Sequence, residues 1–302
     1  MLLDISKANI EVLHDDLFVQ KQVTLSVLRL DKIHPLVSGN KLFKLHYFFE
    51  EALAGKHDTI VTFGGAYSNH LAATAYACKL LNLKSIGIVR GEKTEQLSET
   101  MQQCLHDGMQ LNFISRQQYS NKENADFIND IKNEFSNCVI IPEGGYGPLG
   151  AKGAALIIDL IKHNSYTHIC APSGTATTVA GLLLAVEPEQ IVVSLPVLKG
   201  ITNNNTRIKE LTGNNNNFKN LLMLEDYHFG GYAKKTTQLI DFMNDCWIKY
   251  KLPLDFVYTA KMLYGIIDSI KKDTFEKGSE ILCLHTGGLQ GNKSLPLNSL
   301  MF

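Results

Sequence analysis

From residue 58 onward, short β-branched and apolar runs alternate with longer stretches whose apolar positions recur at helical spacing. Strands are expected at Thr59–Phe63, Ser85–Val89, Leu111–Ile114 and Val139–Ile141, with helices over Asn69–Leu81, Glu99–Asp107 and Ala125–Phe135 between them. A further helix is expected from about Gly150 to His163. A second series opens at Thr167–Ala171, with a helix over Thr178–Ala185, a strand over Gln190–Leu195 and later strands near Leu221 and Ile281. Strands that alternate with helices build βαβ units and a parallel sheet covered on both faces. Two such series predict an α/β protein of two doubly wound domains, with mostly parallel sheets and a shared cleft. Two Asn-rich stretches, Asn203–Asn205 and Asn214–Asn217, interrupt the pattern with residues that favour turns and read as surface loops.

The length supports two domains, because 302 residues exceed the size at which one core usually keeps growing. Hydrophobic residues at 45%, charged residues at 20% and a net charge of -1 leave no basic surface for a nucleic-acid partner. Asp4 and Lys7 stand where a secretory signal needs apolar residues, and no later run approaches membrane-spanning length, so a cytoplasmic protein without a membrane partner is expected. The six cysteines show no CxxC spacing and sit in apolar stretches, which predicts buried, reduced thiols and no metal site.

Five segments carry candidate chemistry. Ser38-Gly39-Asn40-Lys41 follows the extended run Val23–Leu30 and opens an amphipathic helix, so that a tight turn presents the Lys41 amine inward. Gly64-Gly65-Ala66-Tyr67-Ser68-Asn69-His70 joins a strand to a helix, where free N–H groups suit a carboxylate or phosphate and Ser68 suits a helix cap. Ser173-Gly174-Thr175-Ala176-Thr177-Thr178 lies at another strand-to-helix junction. Its hydroxyls and small residues fit one phosphate monoester, and it lacks the lysine of a nucleoside-triphosphate loop. Tyr258-Thr259-Ala260-Lys261 and His285-Thr286-Gly287-Gly288 follow apolar runs, and strand ends are where open α/β sheets bind ligands. Gly145-Tyr146-Gly147-Pro148-Leu149-Gly150 matches GxGxxG, yet the next strand ends without the acidic residue of a dinucleotide site, and Pro148 removes a donor.

Taken in order, SGNKLFKL at 38–45, GGAYSNH at 64–70, IPEGG at 141–145, VYTAK at 257–261 and HTGG at 285–288 resemble the 1-aminocyclopropane-1-carboxylate (ACC) deaminases and D-cysteine desulfhydrases. These are pyridoxal-phosphate (PLP) enzymes of the tryptophan-synthase-β-like fold. The resemblance implies PLP in a cleft between a large domain of residues 1–44 with 153–302 and a small domain of 45–152, in a homodimer acting on a small amino acid. It places the Schiff base on Lys41, with Lys44 as a neighbour, and the substrate carboxylate on Ser68 and Asn69, with His70 and Thr259 close by. Asn69 also faces the cofactor ring, and Gly174, Thr175, Ala176, Thr177 and Thr178 form the phosphate loop. Two active-site tyrosines fall on Tyr232 and Tyr258, and the pyridine-nitrogen partner falls on Thr286. The chain departs from the family in lacking an Arg in the helix after Asn69 and in matching the approach to Tyr232 only loosely.

ACC deaminases of this kind carry Glu after the second tyrosine and Leu before the final Gly-Gly, whereas Thr259 and Thr286 follow the desulfhydrase pattern. The resemblance therefore implies elimination from D-cysteine to pyruvate, sulfide and ammonia. Deamination of ACC to 2-oxobutanoate is the alternative, and an NAD-dependent oxidoreductase or an idle amino-acid binder is a distant one.

Overall fold

The computed structural model describes residues 4–200, 204–213 and 218–302. Ile10–Leu13 (β1) and Thr24–Arg29 (β2) pair antiparallel, Ile10 opposite Leu28, around the short helix Asp16–Lys21 (α1) that Asp15 caps. Asn40–Ala54 (α2) leads into a parallel sheet made of Thr59–Gly64 (β3), Lys84–Arg90 (β4), Met109–Ile114 (β5) and Cys138–Ile141 (β6), in the order β5-β4-β3-β6. Asn69–Leu81 (α3), Glu99–His106 (α4), Arg116–Tyr119 (α5) and Ala125–Glu134 (α6) are its crossovers. Every residue of β3 is buried, as expected for a strand with helices on both faces. Leu71, Ala75, Met101 and Cys104 pack together in one apolar cluster of this unit, and Val61, Phe63, Ile86, Ile88 and Ile131 form another.

Pro148–Ala155 (α7) lies directly on α2. A Cβ on Gly153 would stand 2.1 Å from the Phe43 carbonyl, so only glycine permits this approach. His168–Ser173 (β7), Thr177–Ala185 (α8), Ile191–Pro196 (β8), Asn204–Thr212 (α9), Leu221–Met223 (β9), Thr237–Tyr250 (α10), Thr259–Lys271 (α11) and Glu280–His285 (β10) complete a second sheet, ordered β1-β2-β10-β7-β8-β9. Apart from β1, all its described pairings are parallel. The last strand in sequence thus sits between the early β2 and β7, which brings the ends of β10 and β7 together. Boundaries at 44/45 and 152/153 fall inside α2 and α7.

The expected strands and helices recur within one or two residues, with three differences. The helix expected to His163 stops at Ala155, and the chain tightens to i→i+3 bonds from Leu156 on. Phe256-Val257 forms a turn rather than a strand end, because the Asp255 carboxylate takes the N–H groups of Val257, Tyr258 and Thr259 and so starts α11. Asn204 and Asn205 open helix α9 rather than lying in a loop, whereas Asn203 and Asn214–Asn217 lie outside the described residues. The cysteines are unpaired, five of them buried and Cys138 half-buried. Among the described residues no helix is long and apolar enough to cross a membrane.

Candidate active site

The start of α2 meets the end of β10. Gly39 has φ +65°, and a Cβ there would stand 1.8 Å from the Thr286 carbonyl oxygen, so a glycine is required for the two loops to touch. Asn40 N donates to the same oxygen at 3.4 Å. Lys41 is thereby set in the first turn of α2, its Nζ donating to Asn40 Oδ1 at 3.0 Å, while Asn40 Nδ2 donates to Thr178 Oγ1 at 2.8 Å. Burial pulls the Lys41 ammonium down from 10.5 to about 8, opposed by the Asp255 carboxylate.

The loop between β7 and α8 holds the hydroxyl-rich segment Gly174–Thr178. Ala176 stands in the left-handed region at φ +62° and turns the chain so that α8 begins at Thr177. Thr175 and Thr177 share a hydroxyl–hydroxyl bond of 2.9 Å, and Lys44 Nζ donates to Thr175 Oγ1 at 3.4 Å. Lys44 is 3% exposed, and burial together with Lys41 holds its ammonium well below the ordinary lysine range. A Cβ on Gly174 would stand 3.3 Å from the ring and hydroxyl of Tyr258, so the loop rests on that phenol.

Ser68 caps α3, its Oγ accepting from Leu71 N at 3.2 Å. Asn69 is the first helical residue, and its Nδ2 lies 3.2 Å from where a Cβ of Gly288 would be. His70 is 3% exposed and bonds through Nε2 to Thr62 Oγ1 at 2.8 Å, with its ring near the Lys44 stem and Gly145. Asn69 Oδ1, His70 Nδ1 and Ser173 Oγ are buried without a hydrogen-bond partner among the described residues.

Tyr232 and Tyr258 meet edge to face, with ring centroids 6.1 Å apart. Burial raises both phenols, and for Tyr258 the neighbouring Tyr232 and Asp255 add to the rise. Thr259 is completely buried, and its hydroxyl donates to Asp255 Oδ2 at 2.7 Å, which separates it from the open groups of the site. Thr286 is 7% exposed, and its hydroxyl has no protein partner among the described residues. Sequence reasoning did not single out Asp255, Thr62 or the bridging role of Asn40. The signal for Asp255 was present in an Asp followed four residues later by Thr at a helix start.

The family profile described as pyridoxal-phosphate dependent enzyme matches residues 20–287. The chain belongs to this family. It is 30% identical over 285 residues to a Thermotoga maritima protein provisionally named 1-aminocyclopropane-1-carboxylate deaminase, covering 87% of this chain and 88% of the relative. It is 28% identical over 279 residues to the mitochondrial bifunctional D-cysteine desulfhydrase/1-aminocyclopropane-1-carboxylate deaminase of Arabidopsis thaliana, covering 84% and 70%. The crystal structure of an ACC deaminase homologue superposes with a TM-score of 0.81 at 27% identity, covering 97% of this chain and 92% of that one.

The residues present fit the PLP that this family uses. A phosphate needs hydroxyl and N–H donors plus a cation, and Thr175, Thr177, the start of α8 and Lys44 converge. An anion there would also restore the charge that burial denies Lys44. A carbonyl carbon needs a free amine, and burial that lowers the Lys41 ammonium to about 8 makes a fraction of it available near neutral pH. The orphaned Asn69 Oδ1 provides an acceptor at the start of α3.

Proposed function

We propose that the chain is a D-cysteine desulfhydrase-like lyase, converting D-cysteine and water into pyruvate, sulfide and ammonia. The observation that supports this is Thr286, a neutral hydroxyl without a protein partner among the described residues, at the strand end where the family pattern puts the ring-nitrogen partner. Bound PLP supplies a sink for the electrons left at Cα when its proton departs. A neutral hydroxyl such as that of Thr286, were it the partner of the cofactor ring, would leave a weaker electron sink and would suit substrates with a good β-leaving group.

The chain's own residues take the remaining roles. Lys41, once its amine is free, would be the group to accept and return a proton at the substrate Cα, and burial that lowers its ammonium to about 8 suits it to do so near neutral pH. Ser68 and the N–H groups at the start of α3 receive the substrate carboxylate, and Asn69 orients it. The Tyr258 phenol, kept protonated by burial, donates to the departing sulfur, with Tyr232 against it. The same reading takes the protein as a cytoplasmic homodimer, checked by sedimentation equilibrium at twice the chain mass.

A second reading, ACC deamination, is favoured by the buried Asp255 carboxylate behind Thr259 and by the names of the relatives. The test is a side-by-side assay of the cofactor-loaded protein with D-cysteine and ACC at matched concentration. Sulfide and pyruvate from D-cysteine with little 2-oxobutanoate from ACC support desulfhydration, and equal or faster ammonia release from ACC replaces it with deamination.

A further inference from the structure

Lys261 ends the VYTAK segment, one turn into α11, and is 1% exposed although it carries an ammonium. Its Nζ donates to the carbonyl of His228 at 2.9 Å and to that of Gly231 at 2.7 Å. Between those carbonyls the backbone is strained: Phe229 has φ +50°, Gly230 +88° and Gly231 +117°, and Ala233 beyond them has +52°. Two non-glycine residues in the left-handed region cost energy, and the turn's own bonds, Gly230 N to His228 Nδ1 and Gly231 N to the His228 carbonyl, are local, so it is the bonds from Lys261 that tie it to α11. Tyr232 lies inside this stretch and is 48% exposed as a residue, while its ring meets that of Tyr258.

The same helix that grips this turn carries Tyr258 at its N-terminus, three residues before Lys261. One element therefore sets both tyrosines. A buried cation costs stability unless it is compensated; the two carbonyls take its protons, and the charge of the Asp255 carboxylate opposes the fall that burial imposes on it. Methionine has the length of lysine but no proton to donate, and would leave the His228 and Gly231 carbonyls only their local backbone bonds from Gly231 N at 3.0 Å and Lys234 N at 3.2 Å.

We propose that Lys261 is a positioning residue, which holds the Tyr232 phenol against that of Tyr258 by tying the His228 and Gly231 carbonyls to α11. The inference rests on the reading of the two tyrosines as active-site groups. In the cofactor-loaded protein, Lys261→Met leaves the absorbance of the Lys41-linked cofactor in place. It speeds amide hydrogen exchange in residues 228–234 without touching β7 or β8, and lowers kcat/KM roughly a hundredfold, the size of a misplaced active-site group. Adding Tyr232→Phe costs no more than either change alone, since a displaced phenol has nothing further to lose. Unchanged exchange in 228–234 overturns the tether, and losses that multiply in the double variant overturn the positioning role. A parent protein without turnover on any small amino acid sinks the enzymatic reading instead, while the exchange experiment still decides the tether. Should Lys261→Met not fold, Lys261→Gln keeps one amide donor and must show the same two signatures in smaller size, and their absence counts against the proposal.

Discussion

Thr62 fixes the tautomer of His70. Its hydroxyl proton goes to the Ile141 carbonyl at 2.7 Å, so at 2.8 Å it can only accept from His70 Nε2, which must carry the ring's proton. Nδ1 is then a bare acceptor, buried without a partner among the described residues. Burial and the two lysines at 41 and 44 hold the ring neutral, well below its ordinary value of 6.5. Below that value the unfolded chain binds a proton that the folded one refuses, so stability falls as pH drops, by about 1.4 kcal/mol per pH unit for this group. Urea unfolding of the cofactor-free protein at pH 7.5 and 5.5 should show this loss in the parent and a smaller one in His70→Asn. Equal losses mean that His70 is not held neutral.

With Lys41 as the proposed cofactor lysine, its amine should set the pH range of cofactor loading. With its ammonium near 8, about a tenth of the amines are neutral at pH 7, against roughly one in three thousand at the ordinary value of 10.5. The rate of PLP uptake by the cofactor-free protein should therefore rise with pH around a midpoint near 8. Lys41→Ala should abolish the borohydride-reducible link while leaving the circular dichroism intact. A reducible lysine surviving in that variant would move the assignment to Lys44, whose ammonium burial also holds well below the ordinary lysine range.

Ser68 is already a helix cap, which changes what its removal should do. Ser68→Ala should cost about 1 kcal/mol of stability through the lost bond to Leu71 N. If the same hydroxyl also meets the substrate carboxylate, kcat/KM should fall a further tenfold or more, as expected for one hydrogen bond to a charged group worth about 1.5 to 3 kcal/mol. Denaturation and steady-state kinetics on one preparation separate the two, and stability loss with normal kinetics reduces Ser68 to its cap.

The strands β3, β4, β7 and β10 were legible because buried parallel strands read as β-branched runs, and the strand-to-helix junctions marked the loops of the site. The segment at 254–258 was not, because nothing in Leu254-Asp255-Phe256-Val257 separates a strand from a capped turn until the Asp255 carboxylate is seen to take three backbone N–H groups. Thr62 was unreadable for a similar reason: inside a strand it looks like any β-branched residue, and only the fold brings it to His70. Tyr232 was named from the family pattern, but the contact that sets its place is a lysine 29 residues on in the chain.

Asp255 offers the sharpest test of the site's electrostatics. Its completely buried carboxylate accepts from Val257 N, Tyr258 N, Thr259 N and the Thr259 hydroxyl, and it is the charge that opposes the fall of the Lys41 ammonium. In Asp255→Asn that opposing charge is gone while the shape is nearly kept. The Lys41 ammonium should then drop below about 8, and the midpoint for PLP uptake should move to lower pH. The amide NH2 would also face donors it cannot accept from, which should cost on the order of 3 kcal/mol of stability and loosen the start of α11 where Tyr258 sits. Stopped-flow uptake across pH 6 to 10, run on parent and variant, reads the shift directly. A midpoint that stays put or moves upward would mean that the Asp255 charge is spent on the helix start and does not reach Lys41, leaving burial alone to set the amine.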